Sequence, residues 1–355
     1  MRRIHIPAPI DVHVHLREPG FTHKEDILSG TQAALAGGFT AVLDMPNTRP
    51  PTTNGNRLRE KRRRASRKAV CDVGFFLGAS NDTEPDVVAQ AASEAVGLKM
   101  YINETFGALR IRDVTTLWTY LRKWPGPGPI AVHAEGLMLA AVIGLVALTN
   151  TRVHVVHVSR REEITLIKAA KAQKLPLTCE VTPHHLFLTQ DDISRLGPYG
   201  YMKPTLATPA DQKALWDNLD VIDCFATDHA PHTRAEKESD NPPPGVPGLE
   251  TALPLLLTAV YDRRLTLEDV IERISVRPRA IFNLRPPKDT YAEIEMGAAW
   301  RIGDVPFFSR AGWSPFTGMD VYARVRRVVI RGNVHFEDGQ ILVPPGTGHL
   351  IPELR

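Results

Sequence analysis

The chain has 355 residues, of which 43% are hydrophobic and 23% are charged, and its formal net charge is +3. These values are typical of a folded globular protein, and so small a net charge does not indicate a nucleic-acid partner. No apolar run reaches the length of a transmembrane helix, and the basic N-terminal residues 1–5 are not followed by the apolar stretch of a signal peptide. The three cysteines lie in apolar segments and are typical of a reduced core. We therefore predict a cytoplasmic protein with neither nucleic-acid nor membrane partners.

Short β-branched runs alternate with helical patterns along most of the chain. This alternation favours an α/β fold of the TIM type, a (β/α)8 barrel, in which catalytic groups lie at the carboxyl ends of the strands. The predicted strands are residues 10–15, 40–46, 72–79, 97–102, 129–134, 152–158, 177–183 and 221–228. The clearest helical patterns cover residues 24–37, 53–69, 84–95, 136–149 and 160–174.

The first predicted strand ends in a pair of histidines. His13 and His15 are two residues apart, so both side chains leave the strand on the same face, as one side of a metal site. Arg17 follows just beyond the strand end, where it could meet a substrate carboxylate. This run indicates a metal-dependent hydrolase.

The run at residues 57–68 is the one strongly basic cluster. It could bind an anionic partner, or it could be the solvated face of a surface helix. We favour the surface helix, because no aromatic residues interleave the charges as a nucleic-acid stacking platform would need.

Polar residues recur at the ends of the later predicted strands. Such residues are costly inside apolar strands unless they are paired or bound to a metal. They are Asn47, Lys99, His133, His157, Glu180 and Asp228.

These residues suit two metal ions such as Zn²⁺. His13 and His15 with Asp228 would hold one ion, and His133 with His157 would hold a second. Two neighbouring cations need a bridging anion, and Lys99 can supply one only as its carbamate.

Two of the neighbouring residues are less clear. Glu180 has several interpretations. It could be a metal ligand, and it could equally be a hydrogen-bond partner of a metal ligand or a member of a buried ion pair. His154 precedes His157 by three residues, and this odd spacing predicts that it points to the opposite face of the strand. We therefore interpret His154 as structural.

The pattern changes near the C-terminus. Residues 292–302 and 320–343 are typical of strands and a hairpin, with Asp338-Gly339 as its turn. We predict a barrel over residues 10–290, and a small β subdomain with a C-terminal extension formed by residues 1–9 and 291–355.

These motifs together resemble the amidohydrolase superfamily and, within it, dihydroorotase. The resemblance is most specific to the dihydroorotase domain of the animal-type multifunctional pyrimidine-synthesis protein, which also carries carbamoyl-phosphate synthetase and aspartate transcarbamoylase. The resembling stretches are residues 11–20 (DVHVHLREPG), 45–50 (MPNTRP), 97–106 (GLKMYINETF), 132–135 (VHAE), 178–187 (TCEVTPHHLF), 224–233 (CFATDHAPHT) and 242–250 (PPPGVPGLE).

The resemblance implies a role for each residue of the site. It implies two Zn²⁺ ions, the first on His13, His15 and Asp228 and the second on His133 and His157, bridged by N6-carboxylated Lys99. The residues implied to contact substrate are Arg17, Asn47 and His232 for its carboxylate and ring, Thr105 and Phe106 on a closing loop, and Pro244 and Gly245 through their backbone.

Two positions depart from the animal domains. Val156 stands where those domains carry a cysteine associated with a further zinc near Glu180, so a third Zn²⁺ is not expected here. Lys203 stands where they have a substrate-binding arginine, and lysine keeps the charge but loses the bidentate fork.

The resemblance also implies the reaction, the reversible cyclisation of N-carbamoyl-L-aspartate to L-dihydroorotate in pyrimidine biosynthesis. In the hydrolytic direction, a hydroxide bridging two zinc ions would attack the ring carbonyl, with Asp228 as general acid and base. The alternatives are another cyclic amidase, such as a dihydropyrimidinase, hydantoinase or allantoinase, and a catalytically inactive barrel. We further expect a homodimer, and a chain that is one domain of a longer polypeptide.

Overall fold

The computed structural model of the chain describes residues 2–352. Strand β1 (Arg2–Pro7) comes first, and eight strands follow that pair in parallel, each with the next along the chain. These are β2 (Ile10–Val14), β3 (Ala41–Asp44), β4 (Asp72–Gly78), β5 (Gly97–Tyr101), β6 (Ile130–His133), β7 (Val153–Val155), β8 (Leu177–Val181) and β9 (Cys224–Phe225). The predicted eight-stranded barrel is therefore confirmed.

The barrel is nearly closed between its first and last strands. A parallel bridge joins Val14 to His229, and the Asp11 carboxylate accepts the backbone N–H of Thr227 at 3.2 Å. Almost every barrel-strand residue is buried, because the interior covers one face of each strand and the helices cover the other. Phe282, from the segment before the terminal sheet, packs edge-on against Phe76 inside the barrel.

The helices lie between and after the barrel strands. Polar side chains cap several of them, as when Asp26 accepts the Ser29 N–H at the start of the first helix. The helices are α1 (Ile27–Ala36), α2 (Gly55–Lys68), α3 (Pro85–Ala89), α4 (Val114–Lys123), α5 (Leu137–Thr149), α6 (Arg161–Ala172), α7 (Pro183–Phe187), α8 (Ile193–Leu196), α9 (Pro209–Asp217), α10 (Arg234–Lys237), α11 (Leu249–Tyr261), α12 (Leu267–Ile271) and α13 (Arg277–Ile281). None of the helices within residues 2–352 combines the length and apolar character that crossing a bilayer requires.

An antiparallel sheet from both ends of the chain lies beside the barrel. Its order is β1, β10 (Tyr291–Arg301), β11 (Asp320–Ile330), β12 (Asn333–Glu337) and β13 (Gln340–Ile341). The predicted Asp338-Gly339 turn joins β12 to β13, with φ of 43° and 86° at its two residues. The last strand, β14 (Leu350–Ile351), returns to the barrel and pairs in parallel with β4.

Some element bounds differ from the prediction. The helix predicted over residues 84–95 is interrupted, with α3 followed by a 3-10 turn at Ala92–Glu94. The strands predicted over 152–158 and 221–228 are shorter, so His157 and Asp228 lie beyond β7 and β9 with φ of 39° and 46°. Positive φ at a non-glycine residue is uncommon and concentrates at functional sites.

Candidate active site

Two histidines and one aspartate converge at the carboxyl end of the barrel. Nε2 of His13 lies 3.2 Å and Nε2 of His15 lies 3.0 Å from the same oxygen, Oδ1 of Asp228. The three possible ligand atoms lie within 4.8 Å of one another, and the side chains are largely buried. Two imidazole nitrogens and a carboxylate oxygen are a donor set that Zn²⁺ prefers.

Acceptors behind the two histidines orient their rings. Nδ1 of His13 lies 2.5 Å from Oε1 of Glu180, and Nδ1 of His15 lies 2.7 Å from Oδ1 of Asn47. Because a carboxylate and an amide oxygen accept hydrogen bonds, each Nδ1 carries the hydrogen and each Nε2 keeps a free lone pair. This tautomer directs both lone pairs at the position that a metal would take.

The protonation states also suit metal binding. Burial lowers the pKa of His15 to about 4, so this ring is neutral at ordinary pH. Burial by itself would raise the pKa of Asp228, but the neighbouring His13 and His15 outweigh it and hold the pKa well below its usual range. A neutral imidazole and an ionised carboxylate are the forms that bind a metal ion.

Lys99 is a buried cation without a hydrogen-bond acceptor. Its side chain is fully buried on β5, its Nζ has no hydrogen-bond partner among the described residues, and Nζ lies 5.1 Å from the centre of the Tyr101 ring. Burial lowers the pKa of this amine to about 8. An unpaired buried ammonium is costly, whereas a neutral amine can react with CO2. The orphaned Nζ therefore fits the carboxylated, metal-bridging lysine.

A second pair of histidines lies next to this lysine. Nδ1 of His133 lies 2.8 Å from Nε2 of His157, and the His157 ring centre is 5.4 Å from that of His13. Burial lowers the pKa of both His133 and His157, which leaves their rings neutral. The structure thus brings all six predicted metal-binding side chains together.

These side chains form the floor of a cleft of about 380 Å³. The same cleft includes most of the residues predicted to contact substrate, although they come from distant parts of the chain. They are Arg17, Asn47, Thr105, Phe106, Lys203, Pro244 and Gly245. His232 lies immediately beside the cleft, with its Nε2 at 3.1 Å from Nη2 of Arg17.

A loop at residues 103–110 lies over the cleft. The Phe106 ring centre is 5.2 Å from the Arg17 guanidinium, and Nδ2 of Asn47 donates to the Phe106 carbonyl at 3.2 Å. Nζ of Lys203 donates to the carbonyl of Glu104 at 3.3 Å. Lys203, which replaces the expected arginine, therefore contacts this loop.

Glu180 contacts histidines and a backbone amide. Its Oε1 accepts from His13 and lies 3.3 Å from the His157 N–H, while Oε2 lies 3.1 Å from Nε2 of His154. The expectation that His154 points away from the site was wrong. The strand alternation places His154 inside the barrel, and the positive φ of His157 turns that later residue inward as well.

Two lysines at the site were missed by the sequence reasoning. The buried Nζ of Lys24 lies 3.0 Å from Nδ1 of His232. The buried Nζ of Lys237 donates to three backbone carbonyls, two of them at Pro243 and Gly245 beside the cleft. Their charged side chains look like ordinary surface residues in the sequence, and no local pattern signals their burial.

Comparison with known proteins identifies relatives of the chain. The profile of the Amidohydrolase family matches residues 4–108. The chain is 51% identical over 346 residues to the multifunctional protein CAD of Squalus acanthias, covering 97% of this chain and 15% of that protein. It is 35% identical over 355 residues to the dihydroorotase of Pyrococcus furiosus, covering 97% of this chain and 84% of that enzyme.

Solved structures show the same fold. The L-hydantoinase of Arthrobacter aurescens superposes with a TM-score of 0.93 at 24% identity, over 98% of this chain and 88% of that one. The inactive dihydroorotase-like domain of a Chaetomium thermophilum CAD-like protein gives a TM-score of 0.84 at 30% identity, over 99% of this chain and 100% of that domain. The chain spans only about a sixth of the multifunctional relatives. Its match to most of the archaeal enzyme shows that it belongs to the dihydroorotase family of amidohydrolases.

Proposed function

We propose that the chain catalyses the reversible cyclisation of N-carbamoyl-L-aspartate to L-dihydroorotate in pyrimidine biosynthesis. One observation carries this proposal: the His13, His15 and Asp228 group shares its cleft with an arginine, Arg17, whose guanidinium could bind a carboxylate. Dihydroorotate carries a carboxylate beside its cyclic amide, whereas dihydrouracil, hydantoin and allantoin carry none. An arginine fork in the cleft suits the first substrate and has no charged counterpart in the others.

The site is proposed to hold two Zn²⁺ ions. His13, His15 and Asp228 would hold the first, His133 and His157 the second, and carboxylated Lys99 would bridge them. When bound, the metals polarise the amide carbonyl and lower the pKa of water. A third Zn²⁺ on Glu180 is not favoured, because the two oxygens of this carboxylate already contact three groups of the protein.

Asp228 is proposed as the general acid and base. Its position at the centre of the site lets it accept a proton in ring opening and return it to the leaving ring nitrogen. Arg17, Asn47 and His232 would hold the carboxylate and ring. Thr105, Phe106 and Lys203 would close over the substrate, while the backbone of Pro244 and Gly245 would meet the ring amide. Cyclisation consumes a proton, so lower pH favours synthesis.

The experiment is ring opening of L-dihydroorotate by the zinc-loaded protein, with zinc per chain measured on the same sample. We expect turnover with about two zinc ions per chain. We expect the Asp228→Asn variant to lose at least about a hundredfold in kcat, since general acid–base catalysis contributes 10²–10⁴-fold. Faster turnover of dihydrouracil, hydantoin or allantoin than of dihydroorotate would contradict the substrate assignment.

An inactive barrel is the second candidate. The 30% identity to an inactive dihydroorotase-like domain is the observation that favours it. Against it, all six proposed metal-binding side chains are present and lie together in this chain. A zinc-loaded protein that opens none of the four cyclic amides would favour this second candidate.

We also propose that two copies of the chain associate, within a multifunctional polypeptide of the kind to which it is 51% identical. Helix α5 supports self-association, because it contains no charged residue and leaves Leu137 83% exposed and Leu148 74% exposed. Exposed apolar surface of this kind marks protein interaction sites.

A further inference from the structure

His232 is a buried ring with a hydrogen-bonding neighbour at each nitrogen. Its Nε2 lies 3.0 Å from the carbonyl oxygen of Pro244, and its Nδ1 lies 3.0 Å from Nζ of Lys24. Its pKa lies far below the usual range, because the ring is buried and the cations of Arg17 and Lys24 are close. The ring is therefore neutral and carries a hydrogen on only one nitrogen.

The two neighbours decide which nitrogen carries that hydrogen. A lysine ammonium can only donate and a carbonyl oxygen can only accept. Lys24 at Nδ1 and Pro244 at Nε2 both require the hydrogen on Nε2, and together they outweigh the Arg17 guanidinium, which lies 3.1 Å from Nε2 and by itself would favour a lone pair there. The opposite tautomer would place an N–H against the ammonium and a lone pair against the carbonyl.

The Nε2–H group lies beside the cleft, next to a second donor that lines it. Nη2 of Arg17 lies 3.1 Å from Nε2 of His232, and a guanidinium nitrogen has no lone pair to accept a hydrogen bond. Two N–H donors thus meet at one point, where a carboxylate oxygen could accept from Arg17 and share the single Nε2 hydrogen with the Pro244 carbonyl in a three-centre hydrogen bond. With the hydrogen on Nδ1 instead, the ring would present a lone pair to that anion and repel it.

Lys24 is held firmly in the position that this arrangement requires. It is 4% exposed, and its Nζ lies 3.0 Å from Oε1 of Glu236 and 4.7 Å from the centre of the Phe106 ring. His23 shares the Glu236 carboxylate at 3.1 Å, but its side chain is 59% exposed. The chain therefore offers a neighbouring residue as a control.

We propose that Lys24 is a positioning residue that fixes His232 as the Nε2–H tautomer, so that His232 and Arg17 donate together to the carboxylate of the substrate. This inference rests on the proposed function for the identity of the carboxylate. The tautomer itself does not depend on activity, so it can be measured separately.

The test is long-range ¹H–¹⁵N correlation NMR on histidine-labelled, substrate-free protein, with the His232 signals assigned by their loss in His232→Gln. We expect the Nε2–H form in the unchanged protein and in Lys24→Arg, which keeps a donor without an acceptor. In Lys24→Met we expect a substantial Nδ1–H population. If Lys24→Met does not fold, Lys24→Gln replaces it, because its amide can turn its oxygen to Nδ1.

Kinetics provide the second readout. We expect Lys24→Met to raise KM for dihydroorotate about tenfold with a smaller change in kcat, a loss typical of one hydrogen bond to a charged group. Lys24→Arg should largely restore KM, and His23→Ala should leave both constants unchanged.

Either readout can overturn the inference. An Nδ1–H tautomer in the unchanged protein, or a pure Nε2–H tautomer in Lys24→Met, would overturn it. So would a fall in kcat at unchanged KM. A tautomer switch in a protein that does not open dihydroorotate would support the role of Lys24 and contradict the proposed function instead.

Discussion

At the scale of single residues, Glu180 joins three parts of the barrel wall. Its buried carboxylate meets His13 from β2, His154 from β7 and the backbone of His157. Burial by itself would raise the pKa of Glu180, but the neighbouring His13 and His154 outweigh burial and lower it to about 2. Glu180 is thus an ionised acceptor that fixes the ring of a proposed metal ligand.

Glu180→Gln should weaken zinc binding without removing a ligand. The amide oxygen can accept from His13, but it cannot also offer an acceptor to His154, so the His13 ring loses part of its support. We expect a 10–100-fold loss of zinc affinity, the range seen when partners of metal ligands are changed. Competition with a chelator measures it, with the exposed Glu162→Gln as control. Unchanged affinity would contradict the orienting role.

The sequence predicted which residues come together at the cleft better than it predicted the direction in which each side chain points. His13 and His15 follow strand alternation, so their shared face could be deduced from spacing alone. His157 and Asp228 depend on positive φ beyond short strands, which no composition signals. For the same reason His154 was assigned to the wrong face. Lys24 and Lys237 reach the site only through tertiary packing.

At the scale of the elements, the basic helix α2 is more than a solvated face. Its two buried cations point at the barrel: Lys61 lies 2.5 Å from Oδ2 of Asp44, and Arg62 donates to the carbonyls of Ile351 and Pro352. The sequence predicted the helix correctly, but it did not indicate which groups its basic side chains contact. Asp44 also accepts the backbone N–H of Leu16 at 2.8 Å, immediately before Arg17.

Lys61→Met should therefore destabilise the whole barrel. It leaves the Asp44 carboxylate buried and without its cation, and breaking a buried ion pair in this way costs about 3–5 kcal/mol. Urea unfolding measures the loss in the free energy of unfolding. Arg67→Met, an exposed cation on the same helix, should change it by less than about 0.5 kcal/mol. Equal losses in the two variants would show that the ion pair is unimportant.

At the scale of the whole molecule, the repeated pattern of strands and helices predicts the barrel. It does not predict the contacts between the barrel and the C-terminal segment or the surface of the molecule. Eight apolar runs separated by helical patterns leave a parallel barrel as the natural arrangement, and it was predicted. Strand β14 has two residues, too few for a pattern, so its pairing with β4 could not be foreseen. The exposed apolar face of α5 was also not predicted, because apolar helices are expected to be buried.

The order of side chains on α5 favours a second copy of the chain as its partner. Leu137, Ala141, Gly144 and Leu148 are spaced by four, three and four residues and so share one face. Along the helix the side chains of these four residues are large, small, small and large, so their order of size is the same from either end of the helix. An antiparallel pair of α5 helices about a twofold axis would place small residues opposite small ones, as an isologous interface requires.

Gly144→Arg tests this arrangement with little risk to the fold. A Cβ atom added at Gly144 meets nothing within 4 Å in the single chain, and replacing an exposed helical glycine favours the helix. In the pair, the same arginine would fall at the closest approach of the two helices and separate them. By light scattering we expect twice the mass of one chain for the unchanged protein and for Ser66→Arg on α2, and the mass of one chain for Gly144→Arg. A Gly144→Arg variant that kept the doubled mass would place the interface elsewhere.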